Sequence, residues 1–177
     1  MRHSPSIFVV TAALGLLYAS TSTAASFYVN KYHLQNAATA CTLSIPTTDT
    51  KARPKATGFR NEGTSNVFVI CGFDWTGTGS DYSNGYIDIQ AIFASFDGLA
   101  HDFDCTAMGR NPSSPTGQYQ TVAVSIPATG SNAVVFSNTD PNYDLTQWSQ
   151  SITCLLPPGV AVLALNSNIY DDIGSTP

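Results

Sequence analysis

The stretch Asn66-Val67-Phe68-Val69-Ile70-Cys71-Gly72-Phe73 decides the fold. Its β-branched and aromatic residues carry no helical stripe, and side chains alternate across a strand. Val67, Val69, Cys71 and Phe73 therefore share one face, with Phe68 and Ile70 on the other. Both rows are apolar, which predicts a central strand covered on both sides. The same texture continues in both directions: short runs rich in Val, Ile, Phe and Tyr, separated by Gly, Pro, Asn, Asp and Ser. Strands are expected over Thr39–Ile45, Ala56–Asn61, Asn66–Phe73, Tyr86–Phe96, Ala100–Met108, Tyr119–Ile126, Ala133–Ser137, Thr146–Leu156 and Val160–Ile169. Nine strands predict an all-β, two-sheet antiparallel β-sandwich of jelly-roll type, with a barrel as the competing closure.

The late strand reads as half-buried, because Trp148, Ile152, Cys154 and Leu156 share a face and Gln147, Ser149, Ser151 and Thr153 make a polar one. Asp97-Gly98 reads as a tight hairpin, and Pro157-Pro158-Gly159 stops the strand carrying Cys154. Pro46–Lys55 reads as a surface connection. Thr76–Gly85 and Gly109–Gly117 read as exposed loops rather than domain boundaries, and no internal repeat is present.

The N-terminus places this fold in a compartment. Met1-Arg2-His3 is a short positive start, Ile7–Leu17 is almost wholly apolar, and Thr23-Ala24-Ala25 supplies the small residues of a cleavage site. Residues 1–25 are read as a signal peptide and 26–177 as one secreted domain of about 150 residues, a common domain size. No later stretch reaches the roughly 20 apolar residues of a membrane-spanning helix. The expected location is secreted or periplasmic, where disulfides persist. Cys41, Cys71, Cys105 and Cys154 allow three pairings. Cys41–Cys71 with Cys105–Cys154 is favoured, since both bonds then join strand to strand and close loops of moderate length. No CxxC occurs, which argues against a zinc knuckle or redox site.

Charge and residue usage narrow the function classes. Beyond the signal, six Lys/Arg face twelve Asp/Glu, so nucleic acid is a poor partner. Lys31, Lys51, Arg53, Lys55 and Arg60 cluster early, which allows a weak basic patch, but a solvated loop is the better account of them. With His33, His101 and the single glutamate Glu62, the options for acid–base or nucleophilic catalysis are thin, and no GxSxG, HExxH or P-loop is present. Alternation puts His101 with Phe103 and Cys105, and puts Asp102 and Asp104 on the opposite face, so a three-ligand metal site there is geometrically awkward. Asn138–Asp144 carries oxygen-bearing side chains at every second position. Leu145 and Ser151 at the sixth and twelfth loop positions exclude an EF-hand and leave an Asx-rich turn or a looser calcium loop. The strongest binding feature is the Gly/Ser loop flanked by Trp75, Tyr82 and Tyr86, since rings on a β scaffold stack on sugars while nearby Asp and Asn bond hydroxyls. Trp75, four residues from Cys71, is better read as a cap on the core.

Taken in order, Cys41, Gly58-Phe59-Arg60-Asn61, Asn66–Cys71, Cys105 and Ile152-Thr153-Cys154-Leu155-Leu156-Pro157-Pro158 resemble small exported bacterial disulfide-containing β-sandwich proteins of unknown function. Members often place proline after the second cysteine, where this chain has Gly72. The resemblance implies a disulfide-stapled sandwich and brings no catalytic residues. The expectation is an exported, non-catalytic structural or interaction protein without a cofactor or metal, whose partner is a glycan or another envelope protein. The alternative is a carbohydrate-binding module using Trp75, Tyr82 and Tyr86.

Overall fold

The computed structural model describes residues 28–45, 51–74, 86–110, 115–137 and 149–172. Its elements are β1 (Tyr28–Asn36), the single-turn α1 (Ala37–Ala40), β2 (Cys41–Leu43), β3 (Ala52–Lys55), β4 (Gly58–Asn61), β5 (Val67–Phe73), β6 (Tyr86–Ser95), β7 (His101–Arg110), β8 (Gln118–Ile126), β9 (Ser131–Ser137), β10 (Ser149–Leu156) and β11 (Val160–Asp172). One sheet runs β3-β4-β11-β6-β9, with β1 pairing the far half of β11, and the other runs β2-β5-β10-β7-β8. Strands β4 to β11 thus form β4-β11-β6-β9 facing β5-β10-β7-β8, the interleaved Greek keys of a jelly roll. Hydrogen bonding divides into two sheets, so the sandwich holds and the barrel does not.

The inward rows meet in one core. Val67, Val69, Cys71 and Phe73 of β5, Phe103, Cys105 and Ala107 of β7, and Ile152, Cys154 and Leu156 of β10 pack against Ile89, Ala91 and Phe93 of β6 and Leu165 and Ile169 of β11. Phe93 and Phe103 join the sheets edge to face, with ring centroids 5.2 Å apart. Each fully buried side chain of this size contributes roughly 1.5–3 kcal/mol. Both disulfides take the favoured pairing: Cys41 faces Cys71 across β2 and β5, and Cys105 faces Cys154 across β7 and β10, with Cα atoms 4.0 and 4.1 Å apart.

Several expectations need correction. β5 is covered on one face only: Phe68 is 50% exposed, because no layer stacks on the outside of its sheet among the described residues. The Pro46–Lys55 connection gives way after Lys51 to β3, which pairs with β4 through a two-residue turn at Ala56-Thr57. As an edge strand β3 carries Arg53, Pro54 and Lys55, residues that discourage pairing with another chain. Asp97-Gly98 is not a hairpin, since β6 and β7 belong to different sheets. The strand expected over Thr39–Ile45 is cut to Cys41–Leu43, because Asn36 caps a helical turn through its side-chain oxygen on the Ala38 amide at 2.9 Å. β1 was not expected at all. Its half-buried inward positions hold Lys31, His33 and Gln35, while Tyr32 and Leu34 point outward, the reverse of ordinary patterning.

The register sets the two ends of the sandwich apart. The connections β4–β5, β6–β7, β8–β9 and β10–β11 are all short and all cross between sheets at one end. Asn61 and Asp97 pin three of them, β4–β5, β6–β7 and β10–β11. Asn61, fully buried, donates to the carbonyls of Ser65 at 2.9 Å and Leu156 at 3.0 Å, and its Oδ1 accepts from the Gly63 amide at 3.0 Å. Its own carbonyl accepts from Gly159, whose carbonyl in turn accepts from Phe96, each at 2.9 Å. The strand ends that flank 75–85, 111–114 and 138–148 sit at the other end.

Candidate functional site

Trp75 and Tyr82 lie outside the described residues, as do Trp148 and the Asn138–Asp144 loop. Tyr86 opens β6, where its backbone pairs with Ile169. Asp102 and Asp104 point outward on β7 as alternation requires, and with Ala123 and Ser125 of β8 they line a shallow open depression. His101 points the other way, and its Nε2 lies 2.9 Å from Asp97 Oδ1. That carboxylate also accepts from Ser95 Oγ at 2.9 Å and from the Leu99 amide at 3.0 Å. The His101 contact first, and the Leu99 amide after it, draw the Asp97 carboxyl down to about 2 from 3.8. The pair ties down the β6–β7 arch. No group of three metal-ligating side chains occurs among the described residues.

Three of the early basic residues, Arg53, Lys55 and Arg60, do gather around the only glutamate. Lys55 Nζ lies 2.9 Å and Arg53 Nε 3.2 Å from Glu62 Oε2, and the Arg60 guanidinium stands 4.5 Å over the Phe96 ring. The Lys55 ammonium above all, with Arg53 and Arg60 nearby, holds the Glu62 carboxyl below its ordinary value. These contacts secure the β3–β4 hairpin against the arch end.

A different surface assembles from residues that the sequence left unremarked. Directly paired residues share a face, so the outer side of the six-stranded sheet carries the row Tyr32, Asn168, Asp88, Ser137 across β1, β11, β6 and β9. The next row is Leu34, Asn166, Gln90, Val135. Each row spans three strand spacings, about 14 Å, and the rows lie about 7 Å apart. Tyr32 is 71% exposed at one end. In the middle, Gln90 Nε2 donates to Asp88 Oδ1 at 3.0 Å and Asn168 Nδ2 donates to Asp88 Oδ2 at 3.3 Å, which fixes the carboxylate. Asn168, only 8% exposed, keeps an Oδ1 with no hydrogen-bond partner. The face thus offers a ring beside an ordered group of amides and a carboxylate that is rich in acceptors. Its sequence signal was the pair of amides in Leu165-Asn166-Ser167-Asn168-Ile169, an otherwise apolar strand.

No family model matches the chain, and no curated protein does. Among solved structures, a family 11 carbohydrate-binding module from Clostridium thermocellum, in complex with a β-1,3-1,4-mixed-linked tetrasaccharide, is similar at a TM-score of 0.37 and 10% identity, covering 82% of this chain and 86% of that one. A likeness at that level carries no functional information.

Proposed function

We propose that the chain is an exported, non-catalytic interaction module that engages its partner through the outer face of the six-stranded sheet. The observation that supports this most is the pair of outward rows: Tyr32, Leu34 and Val135 stand exposed around a preorganised amide and carboxylate group that the core does not require. The close polar contacts elsewhere, Asp97 with His101 and Glu62 with Arg53 and Lys55, are engaged in holding an arch and an edge hairpin. Two buried disulfides suit an oxidising compartment, secreted or periplasmic. Cleavage after Ala25 would leave β1 whole, since that strand begins at Tyr28.

Fractionation with intact-mass measurement tests the reading. The expected species lies outside the cytoplasm, begins at Ser26, carries no free thiol and is retained by the cell envelope or extracellular matrix. Tyr32→Ser with Val135→Ser should release it without unfolding. A cytoplasmic chain that keeps Met1, or retention unchanged in the folded double variant, overturns the proposal.

A further inference from the structure

We infer that the outer face of the six-stranded sheet is a binding site for a neutral, hydroxyl-rich polysaccharide, an inference that rests on the interaction-module reading and names its ligand. Hydrogen-bond bookkeeping selects the occupant. The Asp88 carboxylate accepts one amide donor on each oxygen and has lone pairs to spare, and Asn168 Oδ1, on a side chain more than nine-tenths buried, accepts nothing. A buried acceptor left without a donor is rare in folded proteins. The face therefore asks for donors, which hydroxyl groups supply. Asn166 and Gln90 add amides in the adjacent row. Anionic ligands are disfavoured, because the two rows hold a carboxylate and neither lysine nor arginine. An apolar protein partner fits poorly as well, since charged and amide groups occupy the middle of the patch, where interface cores are depleted of charge.

Tyr32 supplies the second element of recognition. Its ring is the cross-strand neighbour of Asn168 and is 71% exposed, so it can stack on the apolar face of a sugar ring whose hydroxyls reach Asp88 and Asn168. Asn168 Oδ1 is itself covered, so sugar hydroxyls first meet the half-buried Asp88, Gln90 and Asn166. A row of about 14 Å follows an extended chain of sugar units better than a single one. Affinity per unit is low, because a stacked ring displaces only part of its hydration, and repetition along the polymer compensates.

The test is native gel electrophoresis of the full mature protein through gels containing a soluble neutral β-glucan, a neutral α-glucan, a galactomannan or polygalacturonate. Retardation by at least one neutral polymer is expected, insensitive to added salt and weakened about tenfold or more by Tyr32→Ala or Gln90→Ala. Phe68→Ala, on the outer face of the opposite sheet, should leave it unchanged. No retardation by any neutral polymer, equal retardation of wild type and both face variants, or retardation confined to polygalacturonate overturns the inference. If envelope retention still depends on Tyr32 in that event, the interaction-module reading stands with a protein partner; if retention is unchanged by substitutions on the face, both fail.

Discussion

Replacing Asn61 tests the claim that one buried amide ties two of the crossing connections, β4–β5 and β10–β11, together. Asn61→Ala removes three side-chain hydrogen bonds and leaves the carbonyls of Ser65 and Leu156 and the amide of Gly63 without their partner. At a net of roughly 0.5–1.5 kcal/mol per hydrogen bond, the expected loss is about 1.5–4.5 kcal/mol of a stability that is itself small. Asn61→Asp is the sharper variant. It keeps an acceptor for Gly63 but turns the donor of two bonds into an oxygen facing two carbonyls. At neutral pH it should be less stable than Asn61→Ala, because its carboxylate is both desolvated and opposed by carbonyl dipoles. Burial raises the folded-state pKa of that new carboxyl, so protonation restores a donor: the variant gains stability as pH falls from 7 to 5, a rise the wild type lacks. Urea unfolding with disulfides intact, followed by fluorescence and circular dichroism, measures all three proteins. A loss under about 0.5 kcal/mol for Asn61→Ala, or Asn61→Asp as stable as wild type, would refute the reasoning.

Three further predictions follow from other parts of the scaffold. The Asp97 carboxyl, depressed to about 2 from 3.8, contributes stability that is fully present above its unfolded value and is lost as pH falls from about 4 toward 2; an acid titration of Asp97→Asn should lack that component. Because the Asp97 side chain is 32% exposed, added salt should shrink the effect. The paired substitutions Cys41→Ala/Cys71→Ala and Cys105→Ala/Cys154→Ala open loops of 30 and 49 residues and should each cost roughly 3–4 kcal/mol in the chain-entropy model, read as a lower urea midpoint. Gly58→Ala should cost about 2 kcal/mol or more by the same assay, since Gly58 sits at φ +132° and a Cβ there would overlap the Val162 carbonyl of β11; an unchanged midpoint would show that β4 is not held against β11.

The sandwich was legible because its signals are local. Alternation within β5, β7 and β10 marked the inward row of each strand, and each cysteine on those rows fell opposite its partner in register. What escaped was non-local. A turn dipeptide such as Asp97-Gly98 reports that the chain bends, but not whether the next strand rejoins the same sheet or crosses to the other. Phe68 read as buried because hydrophobicity alone does not say whether another layer covers a face. β1 was missed because its pairing with β11, rather than an apolar inner face, holds it in place.

The candidate site escaped for a more specific reason. Uninterrupted alternation along β11 from Val160 and Val162 would carry Ala164, Asn166 and Asn168 inward and turn Leu165, Ser167 and Ile169 out. The structure shows the reverse beyond a register shift between Val162 and Ala164, where Leu163 is the extra residue that β6 does not match. One inserted position exchanges the two faces for the rest of the strand. Leu165 and Ile169 thereby enter the core, and Asn166 and Asn168 come to lie beside Gln90, Asp88 and Tyr32. The bulge is therefore the local feature that makes the outer face chemically distinct. Deleting Leu163 should remove the bulge and set Ala164 directly after Val162, which restores simple alternation with Leu165 and Ile169 still inward and Asn166 and Asn168 still outward. The deletion variant should therefore fold with its outer face intact, because no amide is driven into the core, where each unpaired one would cost at least about 1–3 kcal/mol. Loss of β11 amide protection in hydrogen exchange, or loss of retention in a folded deletion variant, would contradict this account of how the face arises.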